Sequence, residues 1–292
     1  MKEMVVISGK GGTGKTSVVA AFAALVENTV FADCDVDAPD LHLVLQPTVL
    51  ERHEFKSGKT AFIDREACIG CDQCRIVCRF EAIGDDYQVS KINCEGCGAC
   101  VHFCPVEAVE LRENLSGQWF VSNTRFGPMV HARLGITEEN SGRLVTLVRS
   151  RAKNLAVEGG KRLLIADGSP GIGCPVIASI TGSDLVLVVT EPTRSGLHDM
   201  RRINELTRHF AVKTVVCINK SDINPGLASQ IEEICIREGL EVVGRIPYDT
   251  DVTRAQVAGT SIIEYSEGMA TQEIKKMWNR INNSIKSLDS KT

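Results

Sequence analysis

Eight of the twelve cysteines in this 292-residue chain fall in two runs, Cys68, Cys71, Cys74, Cys78 and Cys94, Cys97, Cys100, Cys104. Both runs have the spacing C-x2-C-x2-C-x3-C, and adding 26 to each cysteine number of the first gives the second, so the segment is an internal duplication. The match continues past the thiols, with Phe80-Glu81-Ala82-Ile83 corresponding to Val106-Glu107-Ala108-Val109. Three thiolates at such short intervals can close around one cubane, and in this run the fourth cysteine ligates the other cluster. The expected ligand sets are therefore Cys68, Cys71, Cys74 and Cys104 for one [4Fe-4S] cluster, and Cys78, Cys94, Cys97 and Cys100 for the second. Zinc ribbons and disulfides are the competing uses of so many thiols. Zinc sites favour two pairs with a longer gap between them, whereas triplets at two-residue intervals suit cubanes.

A second chemical signal opens the chain. Residues 4 to 8 read as a buried strand, then Gly9-Lys10-Gly11-Gly12-Thr13-Gly14-Lys15-Thr16-Ser17 leads into an apolar helix through about Val26. Glycines in such a turn let backbone N–H groups surround phosphate oxygens, and the helix N-terminus adds a favourable dipole. Lys15 can then reach the terminal phosphates and Thr16 can ligate Mg²⁺. The expected nucleotide-binding residues here are Gly11, Gly12, Thr13, Gly14, Lys15, Thr16 and Ser17.

The cysteine segment, roughly residues 60 to 112, resembles a bacterial two-cluster ferredoxin. One departure is visible: Pro105 follows Cys104, but Arg79 stands in the matching place after Cys78. A cation there would raise the potential of the cluster that Cys78 helps hold. The rest of the chain resembles the MinD, Mrp and nitrogenase iron-protein class, whose phosphate loop carries an early lysine, here Lys10. That resemblance implies that Lys10 reaches across a dimer interface to the partner's nucleotide and stabilises developing charge, as an arginine finger does. It also implies that ATP favours a closed homodimer, or a heterodimer with a similar ATPase.

Further landmarks follow in the order of that class. Asp33-Cys34-Asp35-Val36-Asp37, after a strand at Val30 to Ala32, lies at the first switch. Asp35 is expected to position the attacking water, with Asp33 and Asp37 as lesser candidates and a solvated acidic loop as the plain alternative. Leu163-Leu164-Ile165-Ala166 ends in Asp167, which resembles the Walker B aspartate holding Mg²⁺, and Gly171 and Gly173 would let the following second switch move. Asn219, after the strand Val215 to Ile218, resembles an adenine-contacting residue, and Pro247 and Asp249 stand where the class closes its base pocket. A turn after a strand would place Asn and Asp there anyway.

The elements that must position these groups are legible. Short apolar runs at 4 to 8, 29 to 32, 162 to 166, 184 to 190, 213 to 218 and 241 to 245 alternate mostly with helical stretches. That pattern predicts an α/β fold of the P-loop NTPase type, a doubly wound and mainly parallel sheet with ligand at the strands' carboxyl ends. The expected domains are 1–59 with 113–292 for the ATPase, and 60–112 for an inserted α+β ferredoxin-like unit. Gln118 to Ser122 reads as extended and Glu138 to Val157 as a helix. With 43% hydrophobic and 24% charged residues the composition is that of an ordinary globular protein. A net charge of −4 carries no nucleic-acid footprint. The opening residues lead directly into a strand and no long apolar span follows, which predicts a cytoplasmic protein in which abundant cysteine means metal.

Ile274, Met277, Trp278, Ile281 and Ile285 recur at helical spacing and predict a helix packed on its own domain; a membrane-surface helix, as in MinD, is the alternative. Cys34, Cys217 and Cys235 read as structural, and Cys174 as a small buried residue. The resemblance as a whole, to MinD-superfamily ATPases with an inserted ferredoxin domain, implies ATP, Mg²⁺ and two [4Fe-4S] clusters. The leading expectation is ATP-gated electron transfer to an unidentified redox partner. An Mrp-like cluster carrier and a MinD-like positioning ATPase with redox-sensing clusters are the alternatives.

Overall fold

The computed structural model describes residues 1–135 and 141–289. Nine strands form one sheet: β1 (Lys2–Ser8), β2 (Thr29–Asp33), β3 (Thr48–Ile63), β4 (Val109–Thr124), β5 (Gly127–Leu134), β6 (Leu163–Pro170), β7 (Leu185–Thr190), β8 (Lys213–Asn219) and β9 (Glu241–Ile246), in the order β3-β4-β5-β2-β6-β1-β7-β8-β9. From β5 through β9 every neighbouring pair is parallel. The expected doubly wound α/β architecture is thus observed, and each of the six strands read from the sequence is present.

The central strands are buried along almost their whole length and mostly apolar because both faces are covered, as a parallel sheet with helices on either side requires. Met4, Val6, Phe31, Ile165, Leu187 and Val215 share one core with α1 (Lys15–Ala23) and the C-terminal helix (Met269–Asp289). That last helix buries Ile274, Met277, Trp278, Ile281 and Ile285, and Trp278 packs 5.0 Å from Phe22. Its apolar stripe is therefore part of the core, as expected for a helix packed on its own domain, and among the described residues no helix is long and apolar enough to cross a membrane. The helix expected from Glu138 is observed as Ser141–Glu158; residues 138–140 lie outside the described residues.

β3, β5 and all of the sixteen-residue β4 apart from Gln118 to Ser122 are strands beyond those expected. The alternation of β3 is masked by charge, since it contains Glu51, Arg52, Glu54, Lys56 and Lys59, all exposed.

The chain divides into two compact units. The first comprises Met1–Arg52, Trp119–Arg133 and Ser141–Thr292; the second comprises His53–Gln118 with Leu134 and Gly135 among the described residues. Within the second unit the duplication appears as a pseudo-twofold. Helices Gln73–Ile76 and Ala99–His102 are 26 residues apart, and so are the positive-φ pairs Gly70 and Gly96, Asp72 and Gly98, Glu81 and Glu107. Asp64 N donates to Ala108 O at 2.8 Å while Ser90 N donates to Ala82 O at 2.7 Å, the same bond with its two halves exchanged.

Candidate functional site

The phosphate loop runs from the end of β1 to the start of α1. Gly14 precedes the helix with φ 92°, in the left-handed region where a side chain is strained. A Cβ there would also overlap Asn219 Nδ2, which instead donates to Thr13 O at 2.7 Å. Gly11 and Gly12 face open space. Thr13 Oγ1 is buried without a hydrogen-bond partner. An unsatisfied hydroxyl beside open glycines is the arrangement a phosphate oxygen would complete.

Lys15 is 6% exposed and lies between two carboxylates, with Nζ 2.9 Å from Asp167 Oδ1 and 3.2 Å from Asp35 Oδ2. Asp167 Oδ2 accepts from Thr16 Oγ1 at 2.7 Å. The sheet brings these groups together: β2 and β6 run parallel with Asp33 opposite Asp167, so two acidic strand ends fall side by side below the loop. Burial works against the Lys15 cation, but Asp167 and Asp35 outweigh it and raise its pKa. Burial, and then the Asp167 charge, push Asp33 well above the carboxylate range. Burial also raises Asp35, with Lys15 opposing. Asp33 uses its own oxygens locally, accepting from Asp35 N at 3.1 Å and Leu41 N at 3.3 Å, whereas Asp37 is exposed.

The segments that follow β2 and β6 are laced together. Cys34 N donates to Asp167 O at 2.8 Å, and Ser169 Oγ donates to Cys34 O at 2.6 Å. Gly171 N reaches Ser8 O at 2.8 Å. Cys34 is buried and its thiol is pushed up by burial. Cys217 and Cys235 are also buried, each pushed up to about 12 by burial. Cys174 departs from the expectation of a buried residue. It is exposed as the first residue of a helix, Cys174–Ile180, whose apolar side is carried by Val176 and Ile180.

Asn219, Pro247 and Asp249 line one cavity with Gly14, Ser17 and Tyr248 beside the phosphate loop. Asp249 Oδ1 accepts from Asp251 N at 2.9 Å and caps the helix Thr250–Val257. Ser17 Oγ accepts from Gln256 Nε2 at 2.9 Å. Lys10 sits 3.3 Å from Glu191 Oε2, and Lys220 sits 2.5 Å from Glu191 Oε1 and 3.1 Å from Gly12 O. Sequence reasoning missed Glu191. The available signal was its place just beyond the apolar strand Leu185–Thr190, at the carboxyl end where α/β sheets collect ligand groups.

In the second unit the eight cysteines separate into two sets. One cavity is lined by Cys68, Cys71, Cys74 and Cys104, another by Cys78, Cys94, Cys97 and Cys100. Among the described residues no group of three His, Cys, Asp or Glu side chains converges to hold a single ion; each quartet rings a cavity instead. Backbone amides point at three of the sulfurs: Ala82 N at Cys78 Sγ (3.4 Å), Ala108 N at Cys104 Sγ (3.2 Å) and Ala61 N at Cys94 Sγ (3.5 Å). Hydrogen bonds to ligand sulfurs of this kind orient and tune a metal-thiolate centre. Cys74 and Cys100 belong to the unit's small core with Ala61, Ile63, Ile83 and Val109. The donor set and cavity lining fit two polynuclear thiolate centres.

Comparison with known proteins agrees with the geometry of the first unit. An uncharacterised protein of Methanocaldococcus jannaschii is 32% identical over 97% of both chains. A pyruvate synthase subunit PorD of Methanothermobacter marburgensis is 32% identical over 74 residues, 23% of this chain and 91% of its own length. Among solved structures, the septum site-determining protein MinD of Pyrococcus horikoshii complexed with Mg-ADP superposes with TM-score 0.57 at 16% identity, over 96% of this chain and 95% of its own. Residues 4–262 match the family described as the CobQ/CobB/MinD/ParA nucleotide binding domain, and the protein belongs to that family.

Proposed function

We propose that this protein is an ATP-hydrolysing iron-sulfur protein in which nucleotide-dependent dimerisation and switching control electron transfer through two [4Fe-4S] clusters. The observation that carries the proposal is the sorting of eight cysteines into two cavities, each quartet drawing its fourth thiol from the other repeat. Partial relatives named as subunits of pyruvate synthase and of an ion-translocating oxidoreductase complex add support for redox chemistry in that segment.

On the nucleotide side, the open glycines and the Thr13 hydroxyl receive phosphate oxygens, and Lys15 leaves its carboxylates to neutralise the terminal phosphates. Thr16 and Asp167, already paired at 2.7 Å, would hold the Mg²⁺ that accompanies the nucleotide. Asp35 is released from Lys15 when phosphate takes its place and then orients the attacking water. Lys10 leaves Glu191 to reach the nucleotide of a second subunit. Loss of the terminal phosphate reverses these exchanges, and the hydrogen bonds between Cys34 and Asp167 and between Ser169 and Cys34 pass the change from one switch to the other.

On the iron-sulfur side, the two quartets supply thiolates and the amides of Ala61, Ala82 and Ala108 stabilise their charge. The bound clusters would supply one-electron carriage. Anaerobic purification with iron and sulfide quantitation and paramagnetic resonance after reduction tests the cluster count, for which about eight iron per chain is expected. Partner reduction and cluster potentials measured with MgATP, with MgADP and without nucleotide test the coupling; identical values in all three rule it out.

A further inference from the structure

We propose that Asp72, held by Tyr87 and Arg75, sets the two cluster sites apart and gives the Cys68, Cys71, Cys74, Cys104 site the lower reduction potential. The inference rests on the two-cluster reading above. The duplication supplies its own control, because each residue of one site has a counterpart 26 positions away in the other.

At the first site Tyr87 Oη donates to Asp72 Oδ1 at 2.8 Å, Arg75 Nη1 donates to the same oxygen at 2.9 Å, and Arg75 also pairs with Asp85. Asp72 and Tyr87 line the cavity with the four thiols. At the second site the four counterparts are Gly98, Ala61, Val101 and Leu111. Three of them, Ala61, Gly98 and Leu111, line the other cavity. The entire network is thus present on one side and replaced by apolar residues on the other.

Charge and hydrogen bonding near a cluster set its potential, and an anion opposes the added electron. Asp72, Arg75 and Asp85 together carry one net negative charge where Gly98, Val101 and Leu111 carry none, while Arg65, 6.0 Å from the Tyr87 ring centre, has an equally charged counterpart in Lys91. Two further differences act on the second site in opposite directions: Glu95 lines its cavity where Ile69 lines the first, and Arg79 follows Cys78 where Pro105 follows Cys104. An electron shared between the sites therefore rests on the Cys78, Cys94, Cys97, Cys100 side. Asp72 holds φ 60° where its counterpart Gly98 holds φ 78°, so the site accepts backbone strain in order to keep a carboxylate there.

The test is a mediated redox titration of the anaerobically purified full chain, followed by paramagnetic resonance, on the wild type and on D72N, Y87F and G98D. D72N is expected to raise only the lower of two one-electron waves, by roughly a tenfold change in equilibrium, which is about 59 mV. Y87F, which removes a donor that shields the carboxylate, moves the same wave down. G98D lowers the other wave; a Cβ at Gly98 meets only Leu111 Cδ1 at 3.5 Å, and its φ of 78° is the left-handed conformation that Asp72 already holds at the matching position. The proposal is overturned if D72N moves both waves equally, moves the higher wave or moves neither. If D72N fails to retain the cluster, the sign of the Y87F shift decides: an unmoved or raised wave overturns it. A wild-type protein without iron and sulfide would instead remove the two-cluster reading beneath it.

Discussion

Lys10 Nζ lies 3.3 Å from Glu191, the same carboxylate that holds Lys220 at 2.5 Å and through it the Gly12 carbonyl. Glu191 thus holds Lys10 and Lys220 together within one chain. Glu191→Gln is expected to lower the ATP concentration at which the chain dimerises by two- to fivefold, since a half-exposed ion pair contributes about 0.5–1 kcal/mol. Light scattering during ATP titration measures this. Lys10→Ala should leave nucleotide binding intact and cut hydrolysis by about 10²-fold or more, the usual loss when a charge-stabilising donor is removed.

Asp167 serves Lys15 with one oxygen and Thr16 with the other. Asp167→Asn leaves the buried ammonium with Asp35 alone, and breaking a buried pair from one side costs about 3 kcal/mol or more. A lower melting temperature without nucleotide is expected, together with loss of the Mg²⁺ dependence of ATP binding. Calorimetry with and without Mg²⁺ reads both; an unchanged Mg²⁺ dependence would remove Asp167 from the metal site.

Asn219 fixes the phosphate loop through its bond to Thr13 O. Asn219→Ala is expected to cost about 1 kcal/mol of stability and to weaken nucleotide binding by roughly tenfold, an additional 1.4 kcal/mol. Fluorescent-nucleotide titration separates the two effects.

His131 is buried between Phe120 and His42, with its Nε2 2.9 Å from Ser122 Oγ. Burial, then the neighbouring His42, lower its pKa from 6.5 to about 4. Between those values the unfolded chain binds a proton that the folded chain refuses. Stability is therefore complete above about pH 6.5 and falls as pH drops toward 4, by at most on the order of 3 kcal/mol. Urea unfolding at a series of pH values should show that slope, and His131→Gln should flatten it; an equal slope in the variant would assign the acid sensitivity elsewhere.

The proposed crossed ligation makes an opposed pair of predictions for the fourth cysteines. Cys104→Ser should remove the cluster of the first repeat and Cys78→Ser that of the second, each leaving one paramagnetic signal. Because cysteines make up part of the second unit's core, stripping iron with a chelator should unfold that segment while α1 and the parallel sheet remain, as metal-dependent small domains do. Hydrogen exchange across residues 53–118 would locate the loss.

The phosphate loop, the aspartate after Ala166 and the cysteine runs were legible because each is a local pattern: a few residues of fixed spacing define what a loop can surround. The strands at 4 to 8 and 185 to 190 were legible for a related reason, since burial on both faces leaves an unbroken apolar run. β3 was not, because its exposed charged residues hide the alternation. Nor was Cys174, since its exposure depends on which side of a short helix faces the sheet.

By itself the sequence determined the chemistry available: a phosphate cradle, a magnesium-binding pair of residue types and two sets of thiols related by 26 positions. Only the tertiary structure decided which groups meet. Lys15 joins Asp35 and Asp167, 20 and 152 residues away, because β2 and β6 are neighbours in parallel register. Glu191 captures Lys10, and Tyr87 and Arg75 converge on Asp72 but not on its counterpart. Local spacing fixes what adjacent residues can reach, whereas encounters across such distances depend on strand order and helix packing, which the whole core sets together.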